Sequence, residues 1–285
     1  MNDRTFKESA TAFAVKKVLA YLDEDPEKAM PKLLAWADKI DTSNRFQKHR
    51  DGIRHMLEEP DNNWWTLVKS FWTDIDPDVR KTFFENFIVN SALIGMPRQA
   101  KLMEKENCNV PWAILMDPTS ACNLKCTGCW AAEYGNRLNL SYEELDDIVK
   151  QGTAMGTYMY LFSGGEPMVR KNDIIRLCEA HPDCVFTAFT NGTLIDEAFA
   201  DEMLRVKNFF PAFSIEGFEE ATDGRRGNGT FQAVMKAMKI LKAKKLIFGA
   251  SCCYTAANVD SLSSEAYMDM LVENGAKFVW FFHYM

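Results

Sequence analysis

The stretch SACNLKCTGCW, Ser120 to Trp130, carries three cysteines at Cys-x3-Cys-x2-Cys spacing: Cys122, Cys126 and Cys129. A cubane of four irons is held by four cysteine thiolates. Here one short loop supplies three, so one iron would keep an open coordination position, as a catalytic metal site does and a closed structural site does not. Zinc bound by the three thiolates and a fourth ligand is the competing reading, with His283 and Cys108 as candidates for that ligand. No second Cys-x2-Cys or His-x3-His pair is present to complete the usual zinc pattern.

Working outward, the loop follows the apolar stretch Trp112 to Met116 and precedes SGGEP (Ser163 to Pro167), TNGTLID (Thr190 to Asp196) and SIEGFEEATDGRRGNGTF (Ser214 to Phe231). Each motif stands at the end of a β-type run. Strands are expected over 112–118, 158–163, 184–190, 209–215, 247–255 and 278–284, alternating with amphipathic segments. Ser141 and Glu144 form a capping box ahead of Leu145, Ile148 and Val149 at helical spacing, and Phe231 to Leu241 repeats apolar residues in the same way. Alternating strands and helices specify an α/β fold with a parallel sheet, here a partial (β/α)6 TIM-like barrel over 109–285. The motifs fall at the carboxyl ends of the strands, where sites in parallel barrels collect.

Residues 1–108 read as a helical N-terminal region, with helices expected over 5–22, 27–40, 44–58, 63–73 and 77–104. Asp76 is the N-cap of the last and Pro77 its first residue. Trp36, Trp64, Trp65, Phe71, Trp72, Phe83, Phe84 and Phe87 suit a bundle core that also packs onto the barrel. A surface for a long apolar substrate or a membrane is the alternative.

The cysteine loop and the three motifs, in this order, resemble the radical S-adenosylmethionine (radical SAM) enzymes over roughly Cys108 to Met285. The resemblance implies a 4Fe-4S cluster on Cys122, Cys126 and Cys129, with S-adenosylmethionine chelating the open iron. Reductive cleavage of that cofactor would give a 5'-deoxyadenosyl radical that abstracts hydrogen from a substrate. Implied cofactor-binding residues are Ser163, Gly164, Gly165 and Glu166 of SGGEP, Asn191, Ser214, Glu216 and Arg226. Gly164 and Gly165 would let backbone approach the methionine end of the cofactor, so Gly165→Val is expected to weaken cofactor binding while sparing the cluster. Ser214 and Glu216, two apart on a strand, share a face. The Arg226 fork suits the cofactor carboxylate. Many members have an aromatic residue just before the third cysteine, where this chain has Gly128.

Many similar enzymes that modify peptides carry cysteine-rich, SPASM-like C-terminal extensions, and this chain stops at FVWFFHYM, so a fragment truncated after the sixth strand is expected. Implied partners are an electron donor of flavodoxin or ferredoxin type and a peptide or lipid/isoprenoid substrate. A non-catalytic iron-sulfur or zinc sensor or scaffold is the other function class.

A net charge of -7 disfavours nonspecific nucleic-acid binding. The longest apolar stretch, Phe87 to Met96, is too short to span a bilayer and contains Asn90. The N-terminus lacks a secretory apolar core. A cytoplasmic location is therefore expected, with the eight cysteines reduced. Cys178 and Cys184 read as small buried hydrophobes, and Cys252 and Cys253 point to opposite faces of one strand.

Overall fold

Six strands, β1 (Ala113–Met116), β2 (Met159–Phe162), β3 (Val185–Thr190), β4 (Phe209–Ser214), β5 (Gly249–Tyr254) and β6 (Val279–His283), pair in chain order, every pair parallel. All six lie within the ranges expected from the sequence. The structure is a computed structural model that describes residues 5–40, 47–59 and 61–284. The sheet curls into a half-barrel. Between successive strands the chain returns over the convex face through α7 (Tyr142–Met155), α8 (Lys171–Ala180), α9 (Glu197–Val206), the pair α10 (Glu219–Arg226) and α11 (Thr230–Ala243), and the pair α12 (Val259–Leu262) and α13 (Glu265–Glu273).

Alternation along the strands sorts side chains between two environments. Phe162, Phe186, Phe213 and Phe248 bury completely against Leu145, Leu177, Val234 and Leu271 of the helices. Burial of each such side chain contributes about 1.5–3 kcal/mol. Residues of opposite parity face the concave side, where Phe189 meets Trp280 with ring centroids 5.0 Å apart and Phe282 at 5.4 Å. Ser141 caps α7 in the expected capping box with Glu144. Cys178 and Cys184 are buried as expected, Cys252 lies in the convex core beside the Tyr267 hydroxyl, and Cys253 is only half-buried.

The N-terminal helices are α1 (Phe6–Glu24), α2 (Pro26–Ile40), α3 (Gln47–Glu58), α4 (Asn63–Thr73), α5 (Pro77–Phe84) and α6 (Met96–Glu106). Residues 44–46 of the expected third helix lie outside the described residues. Asp76 accepts from Asp78 N and Val79 N, and Pro77 opens α5, as expected. The expected helix over 77–104 is not a single α-helix: Glu85–Gly95 is π-helical. Asn86 and Asn90, four residues apart, are buried on its face toward the barrel. Asn86 Nδ2 donates to the carbonyls of Pro182 and Cys184, both at 2.9 Å, and Asn90 Nδ2 donates to the Asp183 carbonyl at 2.9 Å.

Those carbonyls belong to the turn entering β3, so the helices seat on the amino-terminal end of the barrel. Further contacts at the same end agree. Gln99 donates to Gly156 O (2.9 Å), Asp76 N to Lys245 O (2.8 Å), and Lys277 Nζ to Ser70 Oγ (2.8 Å) and Asp74 (2.6 Å). Phe83 packs edge-on against Phe210 at 5.3 Å. Phe71, Phe83 and Phe87 thus join the barrel core, as the packing reading of the aromatics expects, while Trp36 and Trp64 stay exposed. Between the helices lies an apolar cavity of 340 Å³ lined by Leu19, Met30, Ile53, Phe71, Phe84 and Ile88. Among the described residues no helix is long and apolar enough to cross a membrane.

Candidate active site

The cysteine loop leaves the carboxyl end of β1 and is fastened on three sides. At its root, Ser120 N donates to Leu138 O (2.8 Å) and Leu138 N to Ser120 Oγ (3.1 Å). In the middle, Asn123 Nδ2 donates to Thr193 Oγ1 (2.7 Å) while Asn123 Oδ1 accepts from Asn191 Nδ2 (2.9 Å). Beyond the second cysteine, Thr127 N donates to the Arg225 carbonyl at the end of α10 (2.8 Å). The loop is therefore held by segments following β3 and β4.

Cys122, Cys126 and Cys129 are free and half-buried. Burial pushes the Cys122 and Cys126 thiols up, the Arg226 cation partly offsetting this at Cys126. Metal binding here would release protons, as it does wherever thiols become ligands. No three His, Cys, Asp or Glu side chains among the described residues converge closely enough to hold a single ion. Cysteines of a cubane each bind a different iron and need not converge. Three free, half-buried thiols on one loop are the donor type a cubane takes.

SGGEP follows β2 as expected, but its glycines face protein. A β-carbon on Gly165 would lie 2.3 Å from Ala121 O and 2.5 Å from Ser120 O, and one on Gly164 2.5 Å from Thr119 O. Gly165 N and Glu166 N donate to Thr119 O (2.9 Å) and Ala121 O (2.8 Å). The glycines are required by the close approach of the cysteine loop's own backbone, which corrects the expectation that Gly165→Val would spare the cluster. Ser163 N is bonded to Met116 O (2.9 Å).

Glu166 is buried and its carboxylate is fully engaged. Oε1 accepts from Thr190 Oγ1 (2.6 Å) and Met168 N (3.0 Å), and Oε2 from Asn191 N (2.7 Å). Burial raises its pKa, and these hydrogen bonds counteract the rise. Glu166 and Asn191 thus splice the ends of β2 and β3 to the cysteine loop.

Ser214 and Glu216 lie on the same side, since Phe213 and Ile215 between and beside them are buried in the convex core. Ser214 pairs in register with Ser251, placing two serines side by side on the concave face. Glu216 is wholly buried and accepts from Arg225 Nη1 (2.7 Å), Arg226 Nε (2.5 Å) and Arg226 Nη2 (2.6 Å). The Arg226 fork, expected on a cofactor carboxylate, is closed on Glu216 within the chain.

Two cavities flank the loop. One of 480 Å³ touches Gly164, Asp117, Trp130, Tyr134 and Arg137, and burial raises the Asp117 carboxyl. The other, of 630 Å³, touches Gly128, Arg225, Phe218, Asn258 and Tyr284. Gly128 has φ +67°, and a β-carbon there would meet the Tyr284 hydroxyl at 2.6 Å. The phenol of a strand-end residue fills the space that an aromatic side chain at 128 would enter. Sequence reasoning missed Asp117, Arg225 and Ser251, whereas the strand-end position of Tyr284 already put it near the barrel mouth. Asp117 alone had a legible signal, an acidic residue closing the first strand.

Residues 116–260 match the Radical SAM superfamily. The chain is 30% identical over 177 residues to Fe-coproporphyrin III synthase of Methanosarcina barkeri, covering 60% of this chain and 43% of that protein. It is 32% identical over 167 residues to the cysteine-type anaerobic sulfatase-maturating enzyme of Clostridium perfringens, covering 51% and 45%. The solved structure of native anSMEcpe with bound AdoMet superposes with a TM-score of 0.51 at 27% identity, over 61% of this chain and 52% of that one. The chain thus spans less than half the length of these two curated relatives. With the cysteine loop, the parallel half-barrel and the family match in agreement, the chain belongs to the radical SAM superfamily, whose enzymes use a 4Fe-4S cluster and S-adenosylmethionine.

Proposed function

We propose that Cys122, Cys126 and Cys129 hold a 4Fe-4S cluster and that the chain cleaves S-adenosylmethionine reductively to abstract a hydrogen atom from a peptide substrate. The observation that carries this is the fastening of three free thiols at the mouth of the half-barrel. When bound, the cluster and cofactor together supply the radical chemistry. The chain's own residues frame it: Ser163, Gly164 and Ser214 line the cofactor's place, Gly165 lets the cysteine loop pack onto SGGEP, and Glu166, Asn191, Glu216 and Arg226 fix the segments around it. An electron donor of flavodoxin or ferredoxin type supplies the electron.

The name of the sulfatase-maturating relative supports a protein or peptide substrate. The concave wall of Phe189, Trp280 and Phe282 favours a second reading, in which the substrate is apolar, such as a lipid or isoprenoid. Anaerobic reconstitution followed by reduction with S-adenosylmethionine present tests the proposal. Iron uptake with formation of 5'-deoxyadenosine supports it. Zinc uptake, or iron without cofactor cleavage, supports a sensor or scaffold instead. Residues 1–108 and 109–285 are proposed as helical region and catalytic barrel.

A further inference from the structure

Arg226 has two of its N–H groups committed and a third aimed at a cluster cysteine. Nε and Nη2 close on the Glu216 carboxylate, and Nη1 lies 3.9 Å from Cys126 Sγ. The carboxylate that aims the guanidinium is itself fixed, since Glu216 N donates to Thr222 Oγ1 (3.1 Å) and Glu216 O accepts from Asn258 Nδ2 (3.2 Å). Arg225 shares the same carboxylate, and its carbonyl holds Thr127 of the cysteine loop. Two guanidinium groups share this one carboxylate, in side chains only 14% and 18% exposed, and the buried Glu166 carboxylate also faces Arg226.

We infer that Arg226 is a positioning residue that sets the reduction potential of the cluster, by donating an N–H to the Cys126 sulfur and holding a fixed cation beside it. The inference rests on the cluster reading above. Reduction by one electron from the external donor adds negative charge to the cluster. A cation that cannot move away, in a poorly screened site, favours the reduced form, and hydrogen bonds to cluster sulfurs act in the same direction. Glu216 supplies the aim: its two oxygens fix the guanidinium plane, so that Nη1 points at sulfur and away from solvent.

The test is a redox titration of the reconstituted full chain, followed by EPR in the absence of S-adenosylmethionine, so that cofactor binding does not enter. Arg226→Gln should move the midpoint potential to more negative values at unchanged iron content. Glu216→Gln removes the neutralising charge while its amide oxygen still accepts from the guanidinium, and should move it to more positive values. Arg226→Lys keeps the charge without the fork and should fall between wild type and Arg226→Gln; it also serves if the glutamine variant does not fold. An unmoved potential in both Arg226 variants overturns the inference, and weakened S-adenosylmethionine binding at unmoved potential assigns Arg226 to the cofactor carboxylate instead. A wild-type chain that takes up no iron overturns the cluster reading itself, and this inference with it.

Discussion

The carbonyl oxygen of Ala121 stands 2.3 Å from the point to which a β-carbon on Gly165 would project. Real β-carbons do not tolerate that distance to backbone, so any side chain at 165 must move the start of the cysteine loop. Overpacking of this kind costs about 1–3 kcal/mol. Gly165→Val is therefore expected to lose iron along with cofactor affinity. Full iron retention with only cofactor binding impaired would return the glycine to a ligand-cradle role.

Cys126→Ala removes the thiol nearest the Arg226 guanidinium. The variant is expected to show neither the broad visible absorption of a cluster nor its iron after reconstitution. Wild-type iron content in that variant would remove Cys126 from the ligand set.

Glu166 receives three protein hydrogen bonds and offers none to solvent. Replacement by Gln puts an amide N–H₂ against donors, leaving at least one of Met168 N, Thr190 Oγ1 and Asn191 N without a good acceptor. The expected loss of stability is about 1–3 kcal/mol, read from denaturant unfolding. A loss well under this range would show that the β2 and β3 ends do not depend on the carboxylate.

The Arg98 guanidinium grips Glu8 with hydrogen bonds of 2.8 and 2.9 Å and holds its carboxyl down to about 2, from an ordinary 4.5. Because the folded pKa is the lower one, this contribution is complete above pH 4.5 and is lost as the pH falls from there toward about 2. The docking of α1 on α6 should weaken over that interval, and Glu8→Gln should reduce the pH dependence by this pair's share. Thermal melts of the two proteins at about pH 5 and about pH 3 make the comparison, and parallel slopes would rule the pair out as the cause.

Much of this arrangement was legible in the sequence because it rests on local rules. Strand and helix periodicities gave all six strands, and Asp76, Pro77 and Ser141 marked helix starts through capping chemistry acting over three residues. The partners were not legible. Whether Gly165 serves a ligand or Ala121 depends on a contact across 44 positions of chain, and although Glu216 and Arg226 share one motif, their pairing depends on how α10 folds back on the end of β4. The π-helical stretch was hidden too: its local sequence reads as an ordinary helix, and the carbonyls at 182–184 that its asparagines reach lie far along the chain.

The polar seating of the N-terminal helices on those carbonyls makes them the floor of the barrel. A polypeptide beginning near Cys108 would keep every cysteine, glycine and arginine of the site. It would also expose Phe210 to water and take the Asn90 amide away from the Asp183 carbonyl. The shortest polypeptide that works is thus set by where the core stops, and the core does not stop where the motifs do.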